Sequence, residues 1–511
     1  MSTSLLPEHA NALATFDHVQ RTRLVFGNGR AARAGELSAE LGLKRILLVT
    51  DPGIVRAGHV ATVRKSLEAA GLEVIVFDQV IENPTTDCVE RCRRLAERAD
   101  QSVLLLEAGP DYGPRSAGRW PADLLDARVV ADSHDWGYTS DARSGQPNHP
   151  LQRARVIGGC SSHNGCFVIR GSRSDYDGWS AADNQGWSTD ELLPFFEKAE
   201  AALCVCNFKP AEVTPFHAAS LDAMVNAGLP PADDLNDLDE DLGVGTAPVN
   251  IRDGVRWNAA LAYLDPVRGN GHLTVLADTL VDKIGVANGC AISVDIIGPK
   301  GAATVSAGRI IVCAGAYGSP AVLLRSGIGP ANDLKGLGIN TVLDLPGVGR
   351  NLHDHPAVIL QYSSAKLFSV MDAFVADGHT PFTEQSLAKA RSAGCADAYD
   401  LHVFPFTAAG PTPNRQWESF LAVANMAPLS RGALRLHSSD PTALPIVDTG
   451  YLSDQDDADL SVLMNGIELA REIARQRPLA NLIGEELPAS ARWVGREDVR
   501  AACLHYYHPV G

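Results

Sequence analysis

The residues best equipped for chemistry lie together in Arg155-Val-Ile-Gly-Gly-Cys-Ser-Ser-His-Asn-Gly-Cys166. Gly158 and Gly159 carry no Cβ, so a backbone there can approach a flat ligand closely. Ser161 and Ser162 can hydrogen-bond phosphate or ring atoms, and His163 adds a nucleophilic ring nitrogen, with Asn164 and Gly165 beside it. Taken alone, the stretch also reads as a Gly/Ser surface loop with an incidental histidine. His353-Asp354-His355 is the other conspicuous cluster. Alternate residues of an extended run point to opposite sides and no third ligand group is evident, so a structural role is expected and no metal site.

The elements around these residues alternate between strand and helix signals. Thr22 to Asp51 reads as strand, glycine turn (Gly27-Asn-Gly-Arg-Ala-Ala32), helix and a second strand ending in Asp51, the outline of a dinucleotide fingerprint and also of an ordinary turn. Val60 to Ala70 reads as a helix and Leu72 to Phe77 as a strand. Gln101-Ser-Val-Leu-Leu-Leu-Glu107 is a strand closed by Gly109-Pro110, and Arg309 to Cys313 reads as another, running into a helix opened by Ser319-Pro320 and ended by Ser326-Gly327. Beyond Pro356, alternation in Val358–Tyr362, Leu401–Phe406, Phe420–Ala424 and Gly432–Leu436 predicts an antiparallel sheet. Leu460, Leu463, Ile467 and Ile473 form one face of a helix from Asp457 to Gln476 that packs on it.

The glycine-serine-histidine stretch resembles the flavin-contacting loop of the glucose-methanol-choline (GMC) oxidoreductases, most closely in their choline-oxidase branch, where the matching histidine carries the flavin covalently. The resemblance implies FAD, tethered at His163, with Gly158, Gly159, Ser161, Ser162, Asn164 and Gly165 around it. Gly165 stands where that branch has a serine. Glu107 resembles the family's ribose-binding glutamate, a fitting role because two vicinal hydroxyls are both donors. Gly315 falls in the second family signature, Val281 near the position whose backbone meets adenine, and His508 of Tyr507-His-Pro-Val-Gly511 on the catalytic base. His402 lies near a further active-site histidine. The implied fold is α/β: a Rossmann-like FAD-binding domain at residues 100–355 and an α+β substrate domain with an antiparallel sheet at residues 356–511. Before them, residues 1–92 form an α/β lobe resembling the N-terminal part of the iron-containing alcohol dehydrogenases.

That lobe stands where the family has its first strand and Gly-x-Gly-x-x-Gly turn, and the family segment after the Tyr-His-Pro-Val-Gly run is missing. The chain therefore reads as a fusion, truncated at its C-terminus, in which poor turnover is expected. The implied activity is oxidation of the CH–OH group of a small alcohol, with dioxygen or another electron acceptor. No choline-specific cation site is recognisable between Phe368 and Gly394, so choline is not assigned. Two alternatives stay open: an NAD- and metal-dependent alcohol dehydrogenase, and a non-catalytic fusion protein.

Composition narrows the setting. A chain of 511 residues exceeds a single core, and 45% hydrophobic with 21% charged residues is ordinary for a globular protein. A net charge of −17 argues against nucleic acid as a partner. Ten cysteines without a Cys-x-x-Cys pair, no signal-like start and no apolar span suggest reduced thiols in the cytoplasm, with no membrane span and with homo-oligomerisation open.

Overall fold

The protein is described from a computed structural model, which covers residues 30–40, 42–80, 102–141, 148–409 and 417–503. The Gly27 turn and His508 lie outside the described residues. The chain divides into two units, residues 1–103 and residues 104–511.

In the first unit, strand Arg45–Val49 pairs in parallel with Glu73–Phe77, and helix His59–Ala69 joins them. Helix Ala34–Glu40 lies against that helix so closely that a Cβ on Gly35 would stand 2.0 Å from the Ser66 carbonyl oxygen. Asp51, the acid expected at a ribose position if the turn bound a nucleotide, is a helix cap. Its carboxylate accepts the N–H groups of Gly53 and Ile54 at 2.7 and 3.1 Å, satisfying donors that the helix itself leaves free.

The second unit carries its largest sheet in the order Ala357–Tyr362, Trp417–Asn425, Leu401–Ala409, Ser386–Ala390, Gly243–Thr246, every neighbouring pair antiparallel. Its fifth strand comes from within residues 100–355. Helix Ala458–Arg475 covers one face, with Leu460, Leu463, Ile467 and Ile473 all buried. Gly466 permits the close approach, since a Cβ there would meet Val423 Cγ1 at 2.2 Å. Strand Gly432–Arg435 belongs elsewhere, between Arg350–Leu352 and Ile446–Asp448 in a separate three-stranded sheet. Alternation marks a strand with one buried face, but it does not say which sheet that face serves.

Elsewhere in this unit, Val103–Leu106 pairs with Leu273–Leu276, and Leu280–Ala287, Cys290–Gly298 and Gly301–Ser306 form an antiparallel meander. Two expectations are corrected here. Arg309 to Cys313 is not a strand: no described strand lies alongside it, and Ile311 is 78% exposed. Without a partner, an apolar run has no ladder to join. The helix that follows spans Gly315–Arg325 and so begins before Ser319-Pro320, leaving Pro320 inside it. Its start is secured by Ser319, whose hydroxyl accepts the Ala314 N–H at 3.1 Å. The end at Ser326-Gly327 is as the sequence predicts. Among the described residues no helix is long and apolar enough to cross a membrane.

Candidate active site

Two turns are zipped together at the site. The strand Val103–Leu106 delivers Glu107, whose N–H donates to Leu276 O at 3.0 Å and whose carbonyl accepts from Thr279 at 2.9 Å. Asp278 N–H then bonds Gly109 O at 2.8 Å. Gly109 lies so close to the start of the second turn that a Cβ would stand 2.0 Å from the Arg155 carbonyl oxygen. Just beyond, Ile157 N–H donates to Pro110 O at 3.1 Å. Glu107 and Gly158 are thereby held in one neighbourhood by backbone alone. The Glu107 carboxyl is pushed up by burial and pulled partly back by the Gly109 N–H, 2.8 Å away, and by Arg155. With the Gly109 and Ala108 N–H groups accepted, the carboxylate still keeps lone pairs for other donors.

The second turn is anchored by Val156 and Ile157, buried among Trp120, Leu124, Ala260 and Leu261. Gly158 takes φ = 89°, a left-handed conformation, and a side chain there would run into Ser162 Oγ at 2.5 Å. Gly159–Ser162 form one 3-10 turn. Both serine hydroxyls are used inside the loop: Ser161 donates to Gly158 O (2.7 Å) and accepts from Ala259 N–H (2.9 Å), and Ser162 donates to Ile157 O (2.9 Å). The sequence suggested a ligand-facing role for these hydroxyls; their protons shape the turn instead.

His163 closes the turn with its carbonyl accepting Ala131 N–H at 3.0 Å. It is 4% exposed, and its Nε2 has no hydrogen-bond partner among the described residues. Burial, foremost, and the Arg256 charge hold its imidazole below the ordinary histidine range, while Asp135 and a hydrogen bond with the Ser133 backbone pull it back. The ring is therefore neutral near pH 7. A backbone carbonyl at the other nitrogen leaves the lone pair on Nε2. Close by, Asn258 Nδ2 is a buried donor without a partner, one residue before the Ala259 that binds Ser161. An orphan acceptor and an orphan donor beside a glycine cradle fit a bound flavin, whose rim offers both kinds of group.

The carboxylate of Glu384, which the sequence reading passed over, belongs to this site. A Cβ on Gly165 would stand 2.7 Å from Glu384 Oε2. Desolvation raises the Glu384 carboxyl to about 7, and no described residue forms an ion pair or hydrogen bond with it. Its flanks are fixed: Thr383 donates to Arg128 O at 2.5 Å, and Gln385 binds Glu212 O and Thr214 N–H. No motif signals this carboxylate; Gly165 in place of serine is the one trace of it in the sequence.

His402 sits on strand Leu401–Ala409 opposite Lys389 and Ala424, stacked on Tyr399 at 5.3 Å. Its Nε2 also lacks a partner, and burial, Lys389 and His355 drive its pKa well down. Lys389 is 2% exposed, its Nζ donates to Leu235 O at 2.6 Å, and burial brings it to about 8. Val281 O accepts from Arg325 at 3.2 Å, and Gly315 is an exposed helix start with φ = 77°. The His353-Asp354-His355 cluster has Asp354 accepting the Tyr451 hydroxyl at 2.7 Å.

Known proteins place this geometry. Profiles of the GMC oxidoreductase family match residues 37–357 with the family's N-terminal part and residues 428–511 with its C-terminal part. The mitochondrial choline dehydrogenase of Homo sapiens is 32% identical over 81% of this chain and 77% of its own length. An oxygen-dependent choline dehydrogenase of Pseudomonas aeruginosa is 35% identical over 80% of each. Among solved structures, pyridoxine 4-oxidase from Mesorbium loti superposes with a TM-score of 0.69 at 29% identity, covering 81% of this chain and 83% of that one. A formate oxidase shares the fold at 20% identity and a TM-score of 0.65, covering 80% of this chain and 83% of that one.

Proposed function

Because the chain belongs to the GMC oxidoreductase family, we propose that it oxidises the CH–OH group of a small alcohol bearing a cationic group. It is an FAD-dependent oxidoreductase. When bound, FAD supplies at its N5 the acceptor for the hydride leaving the alcohol carbon. The orphaned, buried Nε2 of His163, in a turn zipped to the Glu107 turn, is the observation that carries the reading. His163 would hold the cofactor through that nitrogen, and Glu107 would hold the ribose hydroxyls.

At the substrate, His508 takes the hydroxyl proton, and the His402 imidazole is a second neutral acceptor. A hydride cannot leave an alcohol until that proton is departing, and an imidazole is suited to receive it. Glu384 supplies the negative group that selects the cation, since a desolvated carboxylate without a partner gains most from a charged one. The N-terminal lobe keeps its likeness to iron-containing alcohol dehydrogenases as a proposal about origin. Family membership favours the flavin reading over NAD and metal chemistry.

The test is a visible spectrum of the purified protein followed by anaerobic addition of choline and of an uncharged alcohol of similar size. Flavin bands that bleach with choline at lower concentration than with the neutral alcohol support the reading; a preparation reconstituted with FAD that neither alcohol reduces ends it.

A further inference from the structure

Arg256 is fully buried, and none of the hydrogen bonds of its guanidinium goes to a carboxylate. It donates instead to five backbone carbonyls: Asn164 at 2.9 Å, Ser162 at 3.3 Å, Asp123 at 3.0 Å, Leu124 at 2.8 Å, and Val129. Two of these carbonyls stand immediately before and after His163. The other three belong to the segment that runs on to Ala131, which bonds the His163 carbonyl, and to Ser133, whose backbone bonds the His163 ring. A planar fork with five donors can span such a set of acceptors; an ammonium cannot. A buried arginine could serve the framework alone, but a framework role would not require both peptides around one histidine.

We infer that Arg256 is the positioning residue of the tether: by clamping the Ser162 and Asn164 carbonyls to the 123–129 segment, it fixes the His163 ring with Nδ1–H on Ser133 and Nε2 free. This rests on the proposed role of His163. Together with burial, the cation beside the imidazole keeps the ring neutral and its lone pair available.

The inference is tested with wild type, Arg256→Lys, Arg256→Met and His163→Ala. The first readout is the share of flavin that stays with the polypeptide after denaturation. Both Arg256 variants should fold, by far-ultraviolet circular dichroism, and retain at least tenfold less flavin, with lysine little better than methionine. The second readout needs no cofactor: ring-nitrogen NMR of histidine-labelled apoprotein, with the His163 signal assigned by its loss in His163→Ala. Wild type should show one tautomer, and the Arg256 variants a mixture. Wild-type retention in either variant, or an unchanged tautomer, overturns the inference; so do variants that cannot fold, which would make Arg256 a framework residue. A wild type that shows one tautomer but never retains flavin sinks the tether while leaving the clamp standing.

Discussion

Glu384 places Oε2 2.7 Å from where a side chain on Gly165 would begin, so the carboxylate occupies the room that a serine would need there. The missing hydroxyl at position 165 is thus matched by an acid arriving from a distant segment.

Because the Glu384 carboxyl is raised to about 7, it ionises, and so attracts a cation, only as pH rises through that value. KM for a cationic alcohol should fall across that range, and Glu384→Gln should flatten the profile. Losing a charge-assisted contact of about 1.5–3 kcal/mol predicts a KM increase of about 10–100-fold with a smaller change in kcat. An unaltered pH profile in the variant would remove Glu384 from substrate binding.

Gly165→Ser forces the hydroxymethyl group against that carboxylate. The carboxylate is the far end of a flexible side chain and can move aside at little cost in stability. The expected outcome is a nearly unchanged melting temperature with weaker selection of cationic over neutral alcohols, measured as the ratio of kcat/KM values. A variant with unchanged selectivity would show that the acid does not face the substrate.

His163→Ala should release all flavin to the supernatant on acid precipitation, whereas wild type keeps its colour in the pellet. The buried Nε2 without a partner is the basis for this expectation. Yellow supernatant from wild type would refute a tether.

Gly109→Ala would drive a methyl group into the Arg155 carbonyl and the Val156 nitrogen, which as backbone cannot swing aside. Loss of flavin binding with a fall of several degrees in Tm is expected, read by flavin fluorescence and calorimetry, while Gly271→Ala, in open space, should change neither.

His217 is fully buried and shifted down to about 4, with its ring bound to Ser386 Oγ at 2.8 Å and Thr383 O at 3.1 Å. Its folded pKa lies below the unfolded value of about 6.5, so its contribution is present above 6.5 and is lost as pH falls from there to about 4. Over roughly 2.5 pH units the loss is at most about 3 kcal/mol. Urea midpoints across pH 4–7 should show it, and His217→Asn should show a shallower acid slope.

The sequence by itself determined the local grammar. Adjacent glycines at 158 and 159 and the small polar run to His163 specify a turn whatever surrounds it, because only glycine takes that backbone without strain. Alternation marked most of the large sheet, and a 3.6-residue period marked the helix whose Leu460, Leu463, Ile467 and Ile473 cover it. Tertiary structure decided everything that depends on distant partners. Arg309 to Cys313 has strand composition but no neighbour, and Gly432–Arg435 pairs in another sheet. Ser161 and Ser162 donate to carbonyls of their own turn, contacts that exist only once the chain closes there. Arg256 stands 92 residues after Asn164 and Glu384 well over 200 after Gly165, and neither lies in a motif. Their roles come from desolvation and from carbonyls that only the folded chain assembles, which no periodicity along the chain encodes.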